Sequence, residues 1–177
     1  MSGSSSKPLS SPPASPPLLA GLSEIASNYD VILCDVWGVI HNGLEHFPEA
    51  IDALRRFRAA GGTVILITNA PRPRAKVIAY LDAMKVPRAA YDALVSSGDV
   101  TISLICARGD LPVAHIGPVQ DRSLFAAAAE FSGRPVRFAG LDAAAYVVCT
   151  GLFDPDTETP DDYAVRFALM RGRGLDF

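Results

Sequence analysis

The chain is predicted to be an α/β protein built on a parallel sheet, and three observations predict it. Two apolar runs of strand length, Val31–Cys34 and Thr63–Ile67, stop at polar residues, Asp35 and Thr68-Asn69. A stretch with helical spacing separates them, and a second such stretch precedes a third short apolar run, 93–97. The resulting βαβαβ order closes into a parallel sheet through right-handed crossovers.

Each element has its own signal. Ser23 to Asn28 reads as a short lead-in helix and 31–35 as the first strand. Asn42-Gly43 is a tight-turn dipeptide, so 36–46 forms a small loop or hairpin beyond the strand end. Pro48 suits a helix first turn; Phe47, Ala50, Ile51, Leu54 and Phe57 keep helical spacing, and Gly61-Gly62 stops it. Residues 63–68 are the second strand. Val77, Ile78, Leu81 and Met84 mark a helix from Arg72 to Lys85, and a helix from Asp99 to Ala107 follows the third strand. Beyond it come a strand at 113–116, a helix at 119–131, and strands at 135–138 and 145–149. Thr159 caps a last helix, with Pro160 first, acids in its first turn, Arg171 and Arg173 near its end and Gly174 beyond. No internal repeat is visible.

Bulk properties narrow the function. The 177 residues are 49% hydrophobic and 20% charged, a globular composition. A net charge of −3 without a basic stripe argues against a nucleic-acid or anionic-membrane partner. Cys34, Cys106 and Cys149 lack metal-ligand spacing and read as three buried thiols in a reducing compartment. No apolar run approaches the roughly twenty residues that span a bilayer, and no secretory signal is seen, so a cytoplasmic location is expected. Residues 1–17 hold seven serines and five prolines and are expected to be disordered.

A strand that ends at Asp35 and breaks at Gly38 presents a carboxylate at the carboxyl edge of the sheet, where such sheets bind ligands. Thr68-Asn69 arrives at the same edge, and together they point to phosphate. The segments DVILCDVWGVIHNG, GGTVILITNAPRPRAKVIAYLDAMKVP and ALVSSGDVT resemble the haloacid-dehalogenase-like hydrolases. The closest likeness is to subclass IIA, the branch with a large α/β cap after the third core strand, which includes sugar-phosphate and nitrophenyl phosphatases. The resemblance implies a Rossmann-like parallel-sheet core at 18–104 and a partial α/β cap at 105–177. It also implies a Mg²⁺-dependent phosphatase of a small phosphate ester. Asp35 matches the family's nucleophile and a metal ligand, and the main-chain carbonyl of Trp37 a second metal contact. Thr68 matches the ligand of the transferring phosphoryl group, with Asn69 beside it.

Two departures stand out. The family carries a second aspartate two residues after the nucleophile, as general acid and base; here the position is Trp37, whose indole exchanges no proton near neutral pH. Losing such a group costs about a hundred- to ten-thousand-fold in rate. His41 substitutes only if the loop folds back. The family's third and fourth motifs, a lysine and an acidic pair after the cap, are missing. The resemblance therefore implies an incomplete version of a longer protein, weak or inactive in this form, with an open edge on the first strand. A partner chain is one way to cover that edge, so a homo-oligomer is an open outcome.

Other residues have plainer readings. Asn69 equally shapes the turn into Pro71. Arg72 is a candidate phosphate ligand and Arg74 a weaker one, although the family's arginine falls on Pro73 and a solvated helix start fits both. The three histidines are not spaced for zinc. His115 reads as a core or cap residue, the loop of Asp154, Asp156 and Glu158 as a solvated turn, and Arg55-Arg56-Arg58 as the wet face of a helix. Two rivals to the phosphatase remain: a non-catalytic module that binds phosphate esters, and, ranked last, a signalling receiver, which lacks its acidic pair and later lysine here.

Overall fold

A computed structural model describes residues 17–177. The disorder expected for the Ser/Pro-rich tail falls on residues outside these, apart from Pro17. The lead-in segment is two 3₁₀ turns, Leu22–Glu24 and Ala26–Asn28, rather than one helix. The first sheet holds β1 (Val31–Asp35), β2 (Thr63–Thr68) and β3 (Ala93–Ser96), all parallel, in that spatial order. The crossovers are α1 (Pro48–Ala59) and α2 (Arg74–Ala83). Then α3 (Ser97–Ala107) leads to β4 (Val113–Ile116), α4 (Ser123–Ser132), β5 (Tyr146–Cys149) and α5 (Ala164–Arg173). β4 and β5 form a separate two-stranded parallel sheet. The α/β class with parallel sheets is therefore as the sequence predicts.

The first core lies between β2 and its helices. Val64 and Leu66 are fully buried and meet Ile51, Leu54 and Phe57 of α1 and Val77 and Leu81 of α2. Burying one such aliphatic side chain contributes about 1.5–3 kcal/mol. The sheet's alternate residues face the other way and find little cover: Val31, Leu33, Ile67 and Val95 are all exposed. Among the described residues β1 pairs only with β2, which leaves its other edge open, as expected.

The second sheet is covered on both faces. Ile102, Ile105, Leu124 and Phe125 from α3 and α4 pack with Val113 and Tyr146, while Met170 of α5 and Tyr163 pack with Ala114, Ile116 and Val147. α3 thus continues directly from β3 while burying its apolar side in the second unit.

Several expected details differ. α2 starts at Arg74, not Arg72, because Pro73 disfavours helical backbone at the residue before it. α2 also ends at Ala83, and Lys85 takes a positive φ of 60° just past it. α3 starts two residues early, at Ser97, because Ser96 caps it by accepting the Asp99 N–H. Residues 119–131 split into a 3₁₀ turn, Val119–Arg122, and α4; the last helix likewise opens with a 3₁₀ turn, Pro160–Tyr163, behind a Thr159–Asp162 capping box.

Residues 135–138 are not a strand. Phe138 alone bridges to Val113, and Pro135 brings no N–H to a ladder. Of the cysteines only Cys34 is buried; Cys106 is half-buried, and Cys149 is exposed because β5 outruns the side chains that cover Tyr146 and Val147. Arg58 is not on a wet face. It reaches Asp92 with two guanidinium nitrogens and donates to the Ala89 carbonyl at 2.6 Å, tying α1 to the segment that leads into β3.

Candidate active site

Parallel pairing sets Asp35 beside Ile67, and Thr68 beside Ser96, so Asp35 and Thr68 end adjacent strands at the same carboxyl edge. Adjacent strands lie about 4.8 Å apart. Two cavities meet there. One, of about 410 Å³, is lined by Asp35, Trp37, His41, Thr68, Asn69, Arg72, Lys76 and Tyr80 among others. The other, of about 710 Å³, is lined by Asp35, Thr68 and Asn69 on one side and Ser97 and Thr101 on the other. A third, of about 730 Å³, lies at the amino ends of the strands by Tyr29 and Arg56, and none of the residues chosen from sequence borders it.

The groups at this edge are held by short local bonds. One Asp35 oxygen, Oδ1, accepts the Val36 N–H at 2.7 Å, which fixes the carboxylate and leaves Oδ2 without a partner among the described residues. Thr68 Oγ1 accepts the Ala70 N–H at 3.2 Å, so its own O–H is free to donate outward. Asn69 and Arg72 present exposed side chains to the cavity. Beneath them, burial and then the neighbouring Asp35 charge push the Cys34 thiol up to about 11, so it stays protonated and takes no part as a nucleophile.

The loop after Asp35 folds back on itself. Gly38 N–H donates to the His41 carbonyl at 2.8 Å and Ile40 N–H to the Val36 carbonyl at 2.8 Å. A Trp37–His41 bridge and a His41–His46 bridge close it. Trp37 is left 66% exposed, while His41 is only 3% exposed. The Trp37 carbonyl accepts none of the backbone hydrogen bonds of this loop. His41 Nδ1 accepts the Gly43 N–H at 3.0 Å, its ring meets Tyr80 edge-on at 5.5 Å, and burial lowers its pKa. The fold-back that the sequence left conditional is present.

The loop carrying Asn69 and Arg72 is pinned from the other side. Ser96, fully buried, donates to the Arg72 carbonyl at 2.8 Å, and Gly98 N–H donates to the Ala70 carbonyl at 3.1 Å. A Cβ at Gly98 would lie 2.2 Å from the Arg72 carbonyl oxygen. Sequence reasoning missed this clamp, and it missed Lys76 and Tyr80 as lining residues. The Ser-Ser-Gly that opens a helix directly after a strand was the available signal for the clamp; the i, i+4 spacing of Lys76 and Tyr80 on α2 was the signal for the other two.

The family model for haloacid dehalogenase-like hydrolases matches residues 32–129, more than half of the chain and the whole of this edge. The chain belongs to this family. A family hydrolase from Brucella suis 1330 is 44% identical, with a TM-score of 0.76, over 89% of this chain and 58% of its own. Two more distant folds also match. A 4-nitrophenylphosphatase from Thermotoga maritima has TM-score 0.56 at 19% identity over 84% of this chain and 53% of its own. A glycerol phosphate phosphatase from Mycobacterium tuberculosis, solved with calcium, has TM-score 0.53 at 22% identity over 85% and 41%. The chain thus spans between two-fifths and three-fifths of these relatives. No curated protein matches it. Among the described residues, no helix is long and apolar enough to cross a membrane.

Proposed function

We propose that the chain carries the nucleophile and phosphate-binding half of a Mg²⁺-dependent phosphomonoesterase that acts on a small organic phosphate. The observation that carries this reading is the meeting of Asp35, Thr68 and Asn69 around shared cavities at one sheet edge. Residues 18–104 form the core in this reading and 105–177 part of a cap. Asp35 is the nucleophile: its unpartnered Oδ2 attacks phosphorus, the ester P–O bond breaks, and the electron pair leaves on the departing oxygen. Water then attacks the aspartyl-phosphate, releasing phosphate and restoring the carboxylate. Thr68 O–H donates to a phosphoryl oxygen, Asn69 stands beside it, and the Arg72 guanidinium offsets the substrate's charge. Fixed placement of a weak nucleophile supplies a large effective concentration.

The donor set fits a hard cation in part. Asp35 and the open Trp37 carbonyl offer two oxygens of the kind Mg²⁺ prefers. The described residues hold no cluster of three or more metal-ligating side chains, and such sites are usually completed by water and substrate phosphate. When bound, the ion would polarise the phosphoryl oxygens and offset the repulsion between carboxylate and phosphate.

A second reading, a module that binds phosphate esters without turning them over, is favoured by Trp37 in the acid's place. One experiment separates the two: hydrolysis of an aryl phosphate with Mg²⁺ by the 177-residue protein and by Asp35→Asn, alongside calorimetric binding of inorganic phosphate. Slow hydrolysis, abolished by the substitution, supports the phosphatase. Hydrolysis that survives Asp35→Asn removes the nucleophile, and phosphate binding with no hydrolysis selects the module.

A further inference from the structure

His41 is the most enclosed polar residue lining the smaller cavity. Its ring is almost wholly enclosed, yet it borders the same space as Asp35, Thr68 and Arg72. A backbone N–H can only donate, so the Gly43 contact makes Nδ1 an acceptor and puts the neutral ring's proton on Nε2. Nε2 has no protein partner among the described residues, and it is not one of the fully enclosed unpaired atoms, of which Tyr91 Oη alone is found. Nε2 therefore reaches accessible space. The ring is held from two sides, because Tyr80 meets it edge-on and donates its own O–H to the Gly43 carbonyl at 2.9 Å. Gly43 thereby orients His41 through its N–H and Tyr80 through its carbonyl. Its positive φ of 95° lets the turn present both groups.

We propose that His41 is a binding residue whose Nε2–H is a preset donor to an oxygen of the phosphate ester held at Asp35. The inference rests on the phosphatase-type site proposed above. It also settles what His41 does not do. With Nδ1 engaged and Nε2 already carrying the proton, the ring has no free lone pair to take a proton from water, so it does not replace the missing general base. Its contribution is a fixed dipole that needs no rearrangement when the substrate arrives.

The test uses the whole chain, inorganic phosphate and Mg²⁺ at constant pH. His41→Phe keeps a ring against Tyr80 and removes the donor; His41→Gln returns an N–H near the Nε2 position. Phosphate affinity is expected to fall about tenfold in the Phe variant and to recover in the Gln variant, with melting temperature measured for both. On the wild type, long-range proton–nitrogen spectra should show the Nε2–H tautomer of His41, and its Nε2 signal should move on adding phosphate. If the Phe variant fails to fold, the wild-type spectra decide alone. An Nδ1–H tautomer, or a His41 signal indifferent to saturating phosphate, overturns the inference. So does equal phosphate affinity in wild type and His41→Phe while Thr68→Val binds weakly; that pattern leaves the phosphate site itself standing. Absence of phosphate binding in every form overturns the site along with the donor.

Discussion

Replacing Gly98 with alanine is the sharpest test of how the carboxyl edge of the first sheet is built. The new Cβ would lie 2.2, 2.3 and 2.5 Å from the carbonyl oxygen, carbonyl carbon and nitrogen of Arg72. Carbon contacts are comfortable at about 3.5–4.0 Å, so the 70–72 backbone must retreat by more than ~1 Å. That retreat breaks the Gly98-to-Ala70 bond and the buried Ser96-to-Arg72 bond. Overpacking costs about 1–3 kcal/mol and each lost bond about 1 kcal/mol, while alanine's better helix propensity returns at most about 1 kcal/mol. A net loss of about 2–4 kcal/mol lowers the melting temperature by about 4–16 °C at this size. Thermal unfolding by circular dichroism reads it, and phosphate titration should show weakened binding because the displaced segment carries Asn69 and Arg72. Gly172, inside α5, is the control: a Cβ there meets nothing within 4 Å, so Gly172→Ala should be stabilising by about 0.5–1 kcal/mol. A Gly98→Ala protein that melts at or above the wild-type temperature would refute the clamp.

Two further outcomes follow from other contacts. Hydrogen bonds from Arg58 and then from the Val64 N–H hold the Asp92 carboxyl below the usual carboxylate range. A depressed native pKa adds stability that is complete above the unfolded value near 4 and is lost as pH falls through the native value. The urea midpoint of the wild type should therefore drop more steeply from pH 5 to pH 2 than that of Asp92→Asn, and parallel acid limbs would count against the pairing. On the open sheet face, Leu33 is 64% exposed, so Leu33→Lys should move stability by no more than about 0.5 kcal/mol while reducing binding of an apolar fluorescent dye. A large fall in melting temperature would mean that this face is covered.

The sequence made the strands of the first sheet readable because each apolar run stops abruptly at polar residues, Asp35, Thr68-Asn69 and Ser96-Ser97, and those stop points line the candidate site. Asp35 and Thr68 could be placed at one edge from chain order alone, since parallel strands joined by helices bring their carboxyl ends together. Cover and closure were less readable. Cys149, like Cys34, follows three apolar residues and precedes a polar one, but Cys149 is exposed at the end of β5 while Cys34 lies in the first core. Phe138 looked like strand because it is aromatic, yet it pairs through one residue only. The loop from Trp37 to His46 has no periodicity to read; its shape comes from single hydrogen bonds such as Gly38 to His41, which appear only when the chain is folded.

Trp37 acquires a definite meaning once the two sides of the site are separated. The groups on the phosphate side, Asp35 Oδ2, the Thr68 hydroxyl and the Arg72 segment, are positioned by Val36, Ala70, Ser96 and Gly98, and none of those bonds involves Trp37. In the proposed site, Trp37 therefore leaves the phosphate contacts untouched and withholds the family's general acid and base, so both proton delivery to the leaving oxygen and activation of the hydrolytic water are lost. In free-energy language, substrate binding is expected to be retained and transition-state interactions lost, which lowers kcat. In the step that forms the aspartyl-phosphate the deficit should shrink as the leaving group becomes a better anion, because an oxygen that departs unprotonated needs no acid; the hydrolytic step keeps its deficit. Steep dependence of the aspartyl-phosphate-forming rate on leaving-group pKa is thus the kinetic signature expected of the proposed site with Trp37 in it.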